Sequence, residues 1–128
     1  MSNSVNVKKK IGVFNKTINV PGDKSLSIRW VIFASLAKGK SKAKNLLMSE
    51  DVIAAIKAVK KLGIKIIIKK KECTIFGKGI NGYNYKKNLT INAQNSGTLG
   101  RLILGLLVNS IQPINLIGDK SLSKRDFS

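Results

Sequence analysis

The sequence predicts a mixed α/β (α+β) fold of repeated βαβαββ units, one whole and a second incomplete. Three observations carry that prediction. Segments with strand-like alternation take turns with segments of helical periodicity along the chain. The hexapeptide GDKSLS occurs twice, at Gly22–Ser27 and at Gly118–Ser123. A polar turn, an apolar helix with an arginine near its start, a short loop and a strand follow Ser25, and the same order follows Ser96 about seventy residues later.

Each element has its own reason. GVFNKTINV, residues 12–20, alternates loosely around Val, Phe, Thr and Ile and reads as a strand stopped by Pro21. SLSIRWVIFASLAKG, residues 25–39, reads as a helix apolar on nearly every side, therefore buried, with Gly39 at its end. Gly22 permits a tight bend before it, and Asp23 or Ser25 can cap it. KSKAKNLLM, residues 40–48, is an alternating strand. Ser49 can cap the next helix, and Glu50 and Asp51 then face the positive end of its dipole. Val52, Ala55, Ile56, Val59 and Leu62 give that helix one apolar face, and Gly63 closes it. IKIII and CTIF form a hairpin around a lysine-rich turn, and a loop holding GKGINGYNY follows. LTINA is a short strand, NSGTLGRLILGLLVNS (95–110) a helix with three glycines, and PINLIGD (113–119) a strand. Another helix should begin at the second GDKSLS.

Composition narrows the classes of function. At 128 residues the length suits one small domain with a modest core. The net charge of +18 invites a nucleic-acid reading. The lysines, however, are spread in ones, twos and threes, with no RNA-binding aromatic signature or zinc-finger spacing, which favours a solvated surface over a nucleic-acid groove. No apolar run approaches a membrane span, and MSNSVNVKKK lacks the apolar core of a secretory signal. The lone Cys73 cannot form an internal disulfide and fits a reducing compartment, so the expected location is the cytoplasm.

Against 21 lysines stand three arginines, Arg29, Arg101 and Arg125. A chain so rich in lysine does not need arginine for charge; arginine adds a planar fork that grips carboxylate or phosphate with two hydrogen bonds. Each arginine sits beside a Gly/Ser/Thr-rich turn. At the first turn, free N–H groups of a helix start, Lys24, and the pair Ser25 and Arg29 one helical turn apart suit an anion. A capped helix with a chance salt bridge has the same spacing. At the second, Asn95, Ser96 and Thr98 are neutral donors, Gly97 admits a ligand close to the backbone, and Thr98 shares a face with Arg101. Gly97, Gly100 and Gly105 each cost a helix about 1 kcal/mol relative to alanine, which points to close packing or ligand contact.

Four motifs, PGDKSLSIR, NLLMSEDVIAAI, NSGTLGRLILGLL and GDKSLSKR, resemble the N-terminal portion of the 5-enolpyruvylshikimate-3-phosphate synthase family, in the family's order, from about Val20 to Arg125. The resemblance implies an inside-out α/β barrel of βαβαββ units in two domains, with the ligands in the cleft between them. Residues 1–20 would then join the C-terminal domain, and residues 21–128 form a partial N-terminal domain. It implies transfer of an enolpyruvyl group from phosphoenolpyruvate to the 5-hydroxyl of shikimate 3-phosphate, with no cofactor and no metal. Lys24 would be catalytic and touch both substrates. Ser25 and Arg29 would hold shikimate 3-phosphate; Asn95, Gly97, Thr98 and Arg125 would hold phosphoenolpyruvate; Asp51 and Arg101 would support. The principal acid and base groups would come from the missing C-terminal domain, so the 128 residues alone should be inactive. Two positions depart from the family pattern: Gln94 stands where glycine is usual, and Asp126 where proline commonly follows the arginine. The rival readings are a UDP-N-acetylglucosamine enolpyruvyl transferase and a non-catalytic basic module that binds polyanions.

Overall fold

A computed structural model of the protein describes residues 17–70 and 72–127, together with Ser4, Asn6, Lys8, Gly12, Val13 and Asn15. The elements are α1 (Lys24–Leu36), β1 (Lys38–Lys44), α2 (Glu50–Lys61), β2 (Lys65–Lys69), β3 (Glu72–Lys78), β4 (Leu89–Asn92), α3 (Gly97–Leu106) and β5 (Ile114–Ile117), then a 3-10 turn at Leu122–Lys124. Helix and sheet are mixed, as the sequence predicts. β1, β3 and β2 form an antiparallel sheet in that spatial order; β4 and β5 pair in parallel, with Leu89 opposite Ile114.

Alternation sorts the antiparallel sheet into two faces. Cys73, Ile75 and Ile66 point inward and are buried with Ile28, Val31, Val52, Val59 and Leu62. The register puts Lys38, Lys40, Lys42, Lys44, Lys65, Lys69 and Lys78 on the opposite face, where much of the positive charge meets solvent. Burial pushes the Cys73 thiol above its ordinary value, with the Lys60 ammonium pulling weakly the other way.

α2 forms where its pattern predicts. Its end is a Schellman motif: Gly63 N–H donates to the Lys60 carbonyl and Ile64 N–H to that of Val59. Gly63 has φ +85°, and a Cβ there would run into the Asn84 carbonyl. Glycine is thus required twice over.

Several boundaries differ from expectation. The described residues of 12–20 form no strand; Val13, Ile18 and Val20 are exposed, and the segment is tied at Val20, whose carbonyl accepts from Asn45 Nδ2 at 3.1 Å. A strand needs a ladder partner, and none of the described strands lies against it. Gly39 does not end α1: the helix stops at Leu36, Ala37 turns to extended backbone, and Gly39 lies within β1, which starts and ends earlier than expected. α1 is buried on one side only. Leu26 and Phe33 are exposed on the other, while Trp30 is partly buried against the core. Ser49 occupies the N-cap of α2, but its buried hydroxyl finds no hydrogen-bond partner among the described residues. Gly22 serves close approach rather than a special bend, since a Cβ would strike the Asn45 carbonyl. α3 is ten residues long, shorter than its apolar run, because the chain turns at Leu107–Ser110. The second GDKSLS yields the 3-10 turn alone, as Arg125 returns to extended backbone at ψ 139°.

Candidate functional site

The two hexapeptides fold alike at their start. Asp23 Oδ1 accepts from Leu26 N–H at 2.7 Å, and Asp119 Oδ1 accepts from Leu122 N–H at the same distance. Each aspartate therefore satisfies an orphan donor three residues on. The first turn opens the 13-residue α1; the second ends at Arg125.

Between them lies a hollow of about 350 Å³ lined by Lys24, Asp51, Asn95, Gly97, Thr98, Arg101, Arg125 and Phe127. Lys24, Asp51, Gly97 and Thr98 belong to the first turns of α1, α2 and α3, so the amino ends of three helices face one space. Unpaired N–H groups and the helix dipoles favour an anion there. Among the described residues, three cationic side chains and one carboxylate, Asp51, line it, and Lys24 Nζ meets Asp51 Oδ2 at 3.0 Å.

The second half of the hollow is wired through side chains. Ser96 caps α3, accepting from Leu99 N–H at 3.2 Å. Parallel pairing of β4 with β5 continues past the strands: Ala93 N–H donates to the Ile117 carbonyl and Asp119 N–H to that of Gln94. This brings Asn95 beside Asp119, whose Oδ2 accepts from Asn95 Nδ2 at 2.5 Å. Asn95 Oδ1 in turn faces Arg125 Nη2 at 3.4 Å. The bonds from Leu122 N–H and Asn95, with Arg125 nearby, hold the Asp119 carboxyl below its ordinary value. Arg125 lies across Gly97, where a Cβ would come within 2.8 Å of Nη1. Arg101 donates to the Asp126 carbonyl at 2.7 Å, and its guanidinium stacks 5.2 Å from the centre of the Phe127 ring. Gln94 takes a left-handed backbone, φ +52°, at the departure from glycine noted above.

Of the residues named from sequence, Lys24, Asp51, Asn95, Gly97, Thr98, Arg101 and Arg125 come together around this hollow. Ser25 and Arg29 do not line it. They lie one turn apart on α1, and the helix sets Arg29 about 140° round from Lys24. Asp119 and Phe127 were not anticipated. The repeated aspartate of the hexapeptide could have pointed to Asp119; no sequence signal marks Phe127.

A sequence model of the family described as EPSP synthase (3-phosphoshikimate 1-carboxyvinyltransferase) matches residues 8–126. A 3-phosphoshikimate 1-carboxyvinyltransferase of Streptococcus pyogenes serotype M2 (strain MGAS10270) is 46% identical over 114 residues, covering 89% of this chain and 26% of that protein. One from Bacillus cytotoxicus is 42% identical over 120 residues, covering 94% of this chain and 28% of that protein. Among solved structures, an EPSP synthase from Acinetobacter baumannii superposes with a TM-score of 0.75 at 37% identity, over 86% of this chain and 25% of that one. The chain thus spans about a quarter of the length of the proteins it matches.

Proposed function

Because the chain belongs to the EPSP synthase (3-phosphoshikimate 1-carboxyvinyltransferase) family, we propose that it supplies one wall of an enolpyruvyl-transfer site, the hollow being the seat of phosphoenolpyruvate. The convergence of Lys24, Arg101 and Arg125 with three helix amino ends carries this reading. In the reaction, the methylene carbon of phosphoenolpyruvate takes a proton while the 5-hydroxyl of shikimate 3-phosphate gives up its own and its oxygen bonds to the adjacent carbon. Loss of phosphate and of a methyl proton then restores the double bond. Two polyanions must be held together, so neutralisation and positioning dominate the work of this wall. Lys24, Arg125, Asn95, Gly97 and Thr98 face phosphoenolpyruvate, Ser25 and Arg29 hold shikimate 3-phosphate on the adjoining face of α1, and Asp51 and Arg101 support. The proton donor and acceptor belong to the part of the relatives that this chain does not match, since Asp51 is already engaged by Lys24.

The order α1-β1-α2-β2-β3 is read as one βαβαββ unit whose first strand, residues 12–20, pairs within the second domain; β4-α3-β5 begins the next unit, inside the barrel the family resemblance implies. Residues 21–128 then form the partial N-terminal domain. The buried, free Cys73 suits a reducing cytoplasm. The test is a titration of the 15N-labelled chain with phosphoenolpyruvate, with and without shikimate 3-phosphate. Shifts should centre on Gly97 and Thr98, and Arg125→Ala should weaken binding at least tenfold, the loss of about 1.5 kcal/mol for a charged hydrogen bond. A steep salt dependence, indifferent to Arg125→Ala and Lys24→Met, would instead mark generic polyanion binding and overturn the reading.

A further inference from the structure

We infer that Asp119 is a positioning residue of this hollow, acting through Asn95 to set Arg125; the role rests on reading the hollow as the phosphoenolpyruvate site. Asp119 does not line the hollow. It stands behind Asn95 with each carboxylate oxygen committed, Oδ1 to Leu122 N–H and Oδ2 to Asn95 Nδ2. The first bond shapes the turn whose last hydrogen bond, Arg125 N–H to the Leu122 carbonyl at 3.0 Å, fixes the backbone of the arginine. The second fixes the sense of an amide. An ionised carboxylate only accepts, so the nitrogen of Asn95 must face it and the oxygen must face away. That oxygen meets the Arg125 guanidinium. Were the amide reversed, its NH₂ group would oppose another donor, and Arg125 would lose its lateral hold above Gly97. Asp23 makes the same cap in the first hexapeptide. The added bond to a side chain of the hollow is what the second copy contributes.

Asp119→Asn separates this role from simple capping. The variant keeps an acceptor for Leu122 N–H. Its amide nitrogen now faces Asn95, which must turn its oxygen inward and its NH₂ toward Arg125. In the chain as it stands, phosphoenolpyruvate affinity should fall about tenfold in Asp119→Asn with an unchanged melting temperature. The double variant with Asn95→Ala should bind no more weakly than Asn95→Ala alone, because the two residues act in series. The Asn95 side-chain amide signals should already differ in ligand-free Asp119→Asn. In the unsubstituted chain those signals should titrate in step with the Asp119 carboxyl, at a pH below the ordinary 3.8. Unchanged affinity in Asp119→Asn, or Asn95 signals that stay flat through the titration, overturns the positioning role while Arg125-dependent binding leaves the site reading in place. Absence of phosphoenolpyruvate binding in the unsubstituted chain overturns both.

Discussion

Gly97→Ala separates stability from binding, because its two effects have opposite signs. An added Cβ would meet Arg125 Nη1 at 2.8 Å, while the next atoms, Arg125 Cζ and Leu122 Cδ1, stand at 3.9 Å. The obstacle is therefore the far end of a flexible side chain, which moves at little cost to the fold. Gly97 opens α3, where alanine gains up to about 1 kcal/mol over glycine. Stability should hold or rise, by up to about 4 °C in melting temperature. The guanidinium must retreat by about 0.6 Å to reach ordinary van der Waals distance. That retreat should stretch the contact with Asn95, already 3.4 Å, and misplace a donor that we propose serves the anion. Losing one hydrogen bond to a charged group costs about 1.5–3 kcal/mol, or roughly ten- to a hundredfold in affinity. Calorimetric titration with phosphoenolpyruvate, beside thermal melts, measures both effects. A variant that binds normally, or that loses more than about 1 kcal/mol of stability, refutes the reasoning.

Three further outcomes are expected. Gly63→Ala should destabilise by about 2 kcal/mol or more in urea unfolding, because it forces a left-handed residue against the Asn84 carbonyl. Gln94→Gly should raise stability by up to about 1 kcal/mol in the same assay, relieving a left-handed backbone at φ +52°. Cys73 keeps its proton in the fold where an unfolded chain would shed it, so stability should decline as pH rises through the ordinary thiol range near 8.5. Its reaction with a thiol reagent should be slow until the chain unfolds, and fast stoichiometric labelling of the native chain would contradict the burial.

Local chemistry was legible in the sequence where it was self-sufficient. α2 shows in its period, its acidic first turn and its closing Gly63, since all three act within a few residues. Residues 12–20 carry strand chemistry, yet a strand is made by its neighbour, and composition cannot say where that neighbour is. Gly39 looked like a helix stop because glycine serves equally inside a twisted strand end, and only the docking of β1 on β3 decides between them. The scarcity of arginine led to Arg101 and Arg125 at the hollow. It did not disclose that Arg29 points elsewhere, a matter of rotation about α1. Asp119 lay beyond reach for another reason. It meets Asn95 across 24 positions, through a parallel pairing that a linear reading does not supply.

The hollow is also a seam. Lys24 and Asp51 arrive with the first sheet and its helices, whereas Asn95 through Arg125 ride on β4, α3 and β5. An anion seated there would bridge both groups of elements, which already share one core, so its affinity and the packing of α1 on α3 would form a single equilibrium. A substitution that loosened α1 against α3 would weaken the grip on a ligand it never touches, and a saturating ligand would repair the looseness in return.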